Sequence, residues 1–367
     1  MMHSRNTQSL IEKQRGVTLV EIMIALTISL FLLAGVSQLY VESKHGFRVQ
    51  DSVSALEENA RMAMDKLAYS IRTAGHFAGV DLTDVQMNTA FSGISGEPTG
   101  AIPVAGATAD ACNEAFVERV TERIKGYSLR PPCVAAADWV TSSDAFVVRF
   151  ADPNGSVADG GLASEGAQKV FVRTEVAETA ISFEAGGTLP APATWKNGVY
   201  NFPYNFSLFF IRPCSTKSGA TCAGTDDNGN PIPTLVRVTV DNSRDITQEA
   251  LIEGIETMKL RYGRDTDGDG AVDTYQTATE IATAAAGGSE TPLWNQVQTV
   301  QIAIVARGHN LDAKNTYTLG KFNVTSIDGT NTILENLGLD TFVAGLSARD
   351  QKYPRSLYTT VVNLRNR

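Results

Sequence analysis

Catalytic apparatus is what this sequence lacks most plainly. It holds no G-x-S-x-G, no H-E-x-x-H, no phosphate-binding loop and no dinucleotide glycine fingerprint. Histidine is scarce: of His3, His45, His76 and His309, only the last falls among strand patterns, and it reads as an ordinary loop residue. The chain therefore does not read as an enzyme. Basic charge is also short, since 31 Lys and Arg stand against 40 Asp and Glu for a net charge of −9. That balance argues against nucleic acid as a general partner. Cysteine is rarer still, with Cys112, Cys133, Cys214 and Cys222 as the full set. No C-x-x-C occurs and no histidine lies near any of them, which speaks against zinc. An even number reads instead as disulfides in an oxidising compartment. Four cysteines allow three pairings; Cys112 with Cys133 and Cys214 with Cys222 close the shortest loops and are the pairs expected.

What the sequence does have is one long apolar run. Between residues 17 and 41 the only charge is Glu21. At about 1.5 Å per residue the run can cross a hydrocarbon core of roughly 30 Å. A carboxylate inside a membrane helix costs at least ~2.5 kcal/mol, so it needs a partner and suggests a function. A polar leader, residues 1–16, comes first. In it Arg5, Lys13 and Arg15 outweigh Glu12 by two charges, so the chain from Val17 onward carries −11. The basic leader places that end on the cytoplasmic side, with everything beyond residue 41 across the membrane. A secretory signal would put its apolar run before the cleavage site. Here the run follows Gly16, so a cut at that glycine leaves the helix on the mature chain.

Residues 42–75 continue the helix with one apolar face. Val49, Val53, Leu56, Ala60, Met64, Leu67 and Ile71 recur at steps of three and four. Gly75 marks a C-cap, and Arg72 sits in the last turn where a cation suits the helix dipole. Because a β-rich segment follows, this face is expected to pack on a sheet and not in a coiled coil. Strand patterns then accumulate at 145–150, 169–174, 206–211, 235–240, 300–306 and 358–364. No second long helix and no internal repeat is visible. The fold class expected is α+β, with a long N-terminal helix packed on an antiparallel, β-rich head of residues 76–367.

Gly16, Val17, Thr18, Leu19, Val20 and Glu21 resemble the class III signal of type IV prepilins, in which a dedicated peptidase cuts after the glycine. The family usually has Phe where Val17 stands. The resemblance implies N-methylation of the new Val17 amine and a docking role for Glu21, whose carboxylate would neutralise a subunit's amine. Glu21 lies four residues after Val17, so amine and carboxylate share a helix face. The stretch 71–79 resembles the helix end of the minor pilin family called PilW, although that family often carries a cysteine soon after and this chain does not. Residues 294–307 and 353–367 resemble its last two strands. The resemblance implies a type IV pilin fold. It also implies a minor pilin, held in the inner membrane with its head in the periplasm before assembly into the pilus. Its partners would be the prepilin peptidase, other minor pilins, the major pilin and a pilus-tip adhesin, with no nucleic acid expected. Its task would be to prime or cap the filament. Two alternatives stay open: a pseudopilin of a type II secretion system, and a pilus-tip binding module for DNA or a surface.

One further motif carries chemistry. Asp265, Asp267, Asp269, Ala271, Asp273 and Gln276 stand at positions 1, 3, 5, 7, 9 and 12 of a calcium-loop spacing, with Gly270 at position 6. Asp265, Asp267 and Asp269 would give carboxylate oxygens, Ala271 its carbonyl, Asp273 a direct or water-borne contact and Gln276 an amide oxygen. A neutral Gln276 in place of a bidentate Glu predicts weak Ca²⁺ affinity. The flank at 258–262 alternates like a strand, so this would be a calcium loop on a β scaffold and not an EF-hand. Asp226 and Asp227 open a second acidic turn, which reads as an ordinary solvated one.

Overall fold

Helix α1, Leu19–Thr73, begins within the apolar run and ends two residues before Gly75. The computed structural model describes residues 16–77, 86–87, 114–117, 119–158, 170–175, 178–185, 199–241, 245–312, 314–316 and 349–365. Most of the leader, Cys112 and the first residue of the strand expected at 169–174 lie outside that set. The chain forms two units, residues 1–51 and 52–367. In the first, the apolar side chains of the helix are exposed, from Val17 and Leu19 to Tyr40 and Val41. A helix carrying such a run is long and apolar enough to cross a membrane.

In the second unit the helix buries Ser52, Leu56, Ala60, Ala63, Leu67 and Ile71, a stripe at steps of three and four. Three alanines of the helix, Ala60, Ala63 and Ala68, join the core and keep that side slim. Leu56, Leu67 and Ile71 each contribute about 1.5–3 kcal/mol by leaving water. Val49 and Val53, expected on the stripe, are only half-buried. Gly75 ends the helix at φ +76°, a left-handed turn open to glycine. Its N–H reaches the Arg149 carbonyl at 2.9 Å. A Cβ there would come within 2.6 Å of the Arg123 side chain, so glycine is required on two counts.

Among the described residues, the first nine strands make one sheet. They are β1 (Gln86–Met87), β2 (Ile124–Tyr127), β3 (Ala145–Ala151), β4 (Val157–Ala158), β5 (Val170–Glu175), β6 (Glu178–Ala185), β7 (Val199–Arg212), β8 (Thr234–Val240) and β9 (Ile246–Glu253). Its pairings are antiparallel except for the two-residue β1–β6 contact. The long β7 is central, pairing with β3, β4, β5 and β8 along its length. The last four strands make a second sheet in the order β11-β10-β12-β13: β10 (Ile255–Arg264), β11 (Thr274–Gln276), β12 (Val297–Arg307) and β13 (Arg355–Asn363). Period-2 alternation turns Met258, Leu260 and Tyr262 of β10 and Val300, Ile302 and Ile304 of β12 toward the stripe of α1, and all join it in one core. The expected architecture of helix on antiparallel β head is therefore the observed one. No other helix among the described residues exceeds seven residues.

The start of the penultimate strand differs from the sequence reading. Trp294, expected at the head of the penultimate strand, sits on a one-turn helix, Thr291–Asn295, before β12 starts. There its ring meets Tyr262 edge-on at 4.9 Å, and its N–H donates to Glu290 at 3.1 Å. A buried indole needs both a ring partner and an acceptor, and the turn supplies them.

Candidate functional site

Three places carry the residues singled out by sequence. At the N-terminus, Gly16, Val17 and Thr18 are non-helical and α1 begins at Leu19. Glu21 lies in the first turn, and its carboxylate accepts from both the backbone N–H and the hydroxyl of Thr18 at 3.4 Å. In return the Glu21 N–H donates to the Thr18 hydroxyl at 3.3 Å. This is a capping box, the T-x-x-E pattern that satisfies helix-start N–H groups from both sides. The arrangement holds the carboxylate at the positive end of the helix dipole, where a negative charge is favoured. The box is legible in the sequence as Thr18 followed three residues later by Glu21, a signal separate from the resemblance that implies a docking role for Glu21. Around it Val17, Leu19, Val20 and Ile22 expose their apolar surfaces.

The second place is the disulfide loop. Cys214 and Cys222 are bonded, as expected. Cys133 is also disulfide-bonded; Cys112, the expected partner, lies outside the described residues. The loop between 214 and 222 is held by three carboxylates. Asp138 accepts from the Cys222 N–H at 2.7 Å and pairs with Lys217 at 3.0 Å. Asp227 accepts from the N–H groups of Ser215, Thr216 and Ile232 at 2.9, 2.8 and 2.8 Å. Asp226 accepts from the N–H groups of Ser218 and Ala223 at 3.0 and 2.7 Å, and from the Ser218 hydroxyl. To aim these groups Asp227 and Asn228 adopt φ of +50° and +60°, a region Asp and Asn enter more readily than most residues. The Ser218 hydroxyl, followed by the amides, lowers the pKa of Asp226. For Asp227, burial pushes the pKa up but three amide donors outweigh it, and the net shift is down. The turn that sequence read as merely solvated thus ties the loop together.

The third place is the loop between β10 and β11, an antiparallel hairpin with Tyr262 opposite Gln276 and Arg264 opposite Thr274. It brings together one carboxylate oxygen each from Asp265, Asp267 and Asp269, all within 4.8 Å of one another. Asp265 is buried and accepts from the N–H groups of Gly268 and Gly270 at 2.7 and 2.8 Å, and from Gln298 at 2.7 Å. Asp267 and Asp269 are exposed, each accepting one backbone N–H inside the loop. Gly268 and Gly270, at φ +83° and +88°, supply the left-handed bends. The other three positions are not gathered in the same way. Asp273 accepts from the N–H and hydroxyl of Thr266, both at 2.7 Å, and that hydroxyl is the leading cause of its lowered pKa. The amide oxygen of Gln276 accepts from Arg264 at 2.5 Å. Ala271 uses its N–H on Asp269.

Comparison with known proteins bears on both ends of the chain. Residues 222–366 match the family model for type IV pilus-assembly protein W, and residues 11–37 match the prokaryotic N-terminal methylation motif. No curated protein and no solved structure matches the chain. The two matched stretches are those that the architecture makes distinctive: the capped start of an exposed apolar helix, and the four-stranded sheet on which that helix's later turns pack. Both similarities support reading the chain as a PilW-like type IV minor pilin.

Proposed function

We propose that this chain primes or caps a type IV pilus together with other minor pilins, and that Glu21 is the group that docks it. The observation that carries this reading is the setting of that carboxylate. It is the one charge between residues 17 and 41, it lies among exposed apolar side chains, and its own helix holds it only through two 3.4 Å contacts to Thr18. Contacts of that length are weak for a carboxylate, so a methylated amine arriving from a neighbouring subunit competes favourably. Before assembly the helix anchors the chain in the inner membrane, with residues beyond 41 in the periplasm. On the cytoplasmic side, where the basic leader lies, the prepilin peptidase cuts between Gly16 and Val17, and the chain is a substrate for that enzyme and not a catalyst. The partners are other minor pilins, the major pilin and a tip adhesin. The match of 222–366 to a pilus-assembly family favours a pilus over a secretion pseudopilus. In this reading Asp265, Asp267 and Asp269 also take one Ca²⁺ weakly, with Asp273, Ala271 and Gln276 recruited as it binds.

The test is Glu21→Ala. The variant should insert and be cleaved as the wild type is, with Val17 as the mature N-terminus by mass spectrometry. Its co-purification with partner pilins should fall by roughly tenfold or more, equivalent to about 1.4 kcal/mol per docking contact. Normal incorporation of Glu21→Ala would remove Glu21 from the docking role, and an uncleaved Met1 terminus in piliated cells would remove the prepilin assignment itself.

A further inference from the structure

We propose that the outer edge of β13 is a strand-addition site for an extended segment of a partner chain. The segment is uncharged along its pairing edge and carries a lysine or arginine that enters an acidic cleft beside the strand. Among the described residues β13 ends its sheet, with β12 on one side and no strand on the other. Its backbone parity follows from two bonds at its ends. Leu364 donates its N–H to Gln298, and the Pro354 carbonyl accepts from Gly308. In an antiparallel pair, residues whose N–H and C=O face the neighbour alternate with residues whose groups face away. Ser356, Tyr358, Thr360 and Val362 are therefore the ones bonded to β12. The N–H and C=O groups of Leu357, Thr359, Val361 and Asn363 point outward, a ladder of four donors and four acceptors.

Open edges are normally guarded. Strand β9, which ends the other sheet, carries exposed Glu249 and Glu253, and β11 is three residues long. Strand β13 has neither protection. It runs nine residues, and from 356 to 363 it carries no charge and reads Ser, Leu, Tyr, Thr, Thr, Val, Val, Asn. Its one charged residue, Arg355, is buried in a bidentate pair with Glu256 at 2.5 and 2.8 Å and guards nothing. A long, uncharged, β-branched edge is a template for pairing, and its backbone ladder selects an extended strand as occupant.

The cleft sets the charge of that occupant. Ser54, Glu57, Glu58, Arg61, Met62 and Asp65 line a space of about 480 Å³ on the exposed flank of α1. Tyr358 of β13 packs against the core that the buried face of α1 joins, so the strand adjoins the helix that carries the cleft, with Glu57 and Arg61 within electrostatic reach. Three carboxylates against one guanidinium favour a cation, and the exposed Met62 offers apolar surface for its methylene stem. This site shares no residue with the Glu21 proposal, so either proposal can fail alone.

The probe is a labelled peptide of about ten residues, alternating Thr and Val with one Lys walked along it, titrated by anisotropy against the full chain in detergent. Saturable binding is expected. Thr359→Pro deletes an outward N–H without touching the β12 ladder, and should weaken binding by about tenfold. Thr359→Lys, which keeps the backbone and places a guarding charge on the edge, should weaken it comparably and serves should the proline variant fold poorly. Exchanging the peptide Lys for Glu should also weaken binding, and N-methylation of alternate peptide amides should abolish it. Absence of saturable binding, or binding unmoved by N-methylation and by both Thr359 variants, overturns the proposal. So does self-association of the chain that Thr359→Lys abolishes while the peptide does not bind, because a second copy would then be the occupant.

Discussion

The turn at Asp226 and Asp227 and the loop at 265–276 carry the same side chain at similar density, yet they use it differently. In the first, both carboxylates are taken up by the protein's own amides, and those amides lie on either side of a disulfide. In the second, only Asp265 is buried and triply engaged, while Asp267 and Asp269 remain exposed beside it with one backbone bond apiece. The difference lies in which N–H groups are left over by neighbouring structure. The disulfide loop belongs to no strand or helix, so Ser215, Thr216, Ser218 and Cys222 have free amides that need acceptors. The hairpin loop spreads its amides, those of Thr266, Gly268, Asp269, Gly270 and Ala271, over four carboxylates, so Asp267 and Asp269 hold only one each. Acidic clusters are thus distinguished by how many donors each carboxylate holds more than by their spacing.

The sharpest way to break the comparison is to truncate one carboxylate in each turn. Asp227→Ala leaves three backbone N–H groups without their acceptor, and water can replace only part of what is lost at a half-buried site. A loss of about 1–3 kcal/mol is expected. Asp267→Ala, measured without calcium, removes one local bond and one of three crowded negative charges, and should change stability by less than about 0.5 kcal/mol. Chemical denaturation of the full chain in detergent reads both. Equal losses in the two variants would mean that the turns do the same work.

Acid offers a second, smaller test. Asp226 and Asp227 have folded-state pKa values below the ordinary 3.8. A depressed carboxylate contributes stability above the unfolded value, and the contribution is lost as pH falls below it through the folded values. Asp144 works in the opposite direction: burial, outweighing Lys259 and the Leu260 N–H, raises its pKa. It favours the folded state below 3.8, and that contribution is lost as pH rises through its raised value. The melting temperature of Asp227→Asn should therefore lie below that of the wild type near neutral pH. The gap should close as pH drops below 3.8. A gap that persists at constant size in acid would show that Asp227 is not acting as a carboxylate.

Much of the first unit and the second sheet was legible in the sequence, and for physical reasons. A membrane-length apolar run, a period-3.6 stripe ending at Gly75, and period-2 runs at 258–262 and 300–306 are local patterns that report burial directly. The pairing of Cys214 with Cys222 followed from loop length alone. What was not legible depends on distant partners. Asp138 lies 84 residues from the Cys222 amide it accepts, and Gln298 lies 33 residues from Asp265. That β13 takes the sheet's last position among the described residues depends on strand order, which no local pattern encodes. Gln276 read as a candidate ligand because spacing cannot show that Arg264, opposite Thr274 across the hairpin, faces its amide.

That last contact sets the smallest and most discriminating prediction. For the hairpin loop to take calcium, Asp267 and Asp269 can turn oxygens inward at little cost, since both are exposed. Asp273 must give up Thr266, and Gln276 must give up Arg264, which keeps a second acceptor in Gln296. Each exchange trades a formed bond for a metal contact, so the net gain is small. The dissociation constant should lie near the ~10⁻⁴–10⁻³ M of extracellular modules. With a value of about 0.5 mM, roughly 2 mM calcium would stabilise the folded chain by only about 1 kcal/mol. Asp267→Ala should abolish that increment. Asp227→Ala should retain it in full although it starts from a less stable protein, because the Asp226 turn has no carboxylate to spare. Calorimetric titration of the full chain, paired with melting in calcium and in chelator, measures both. If wild-type melting ignores calcium and chelator alike, the two turns differ only in how many amides each carboxylate holds, and 265–276 is an acidic bend between two strands.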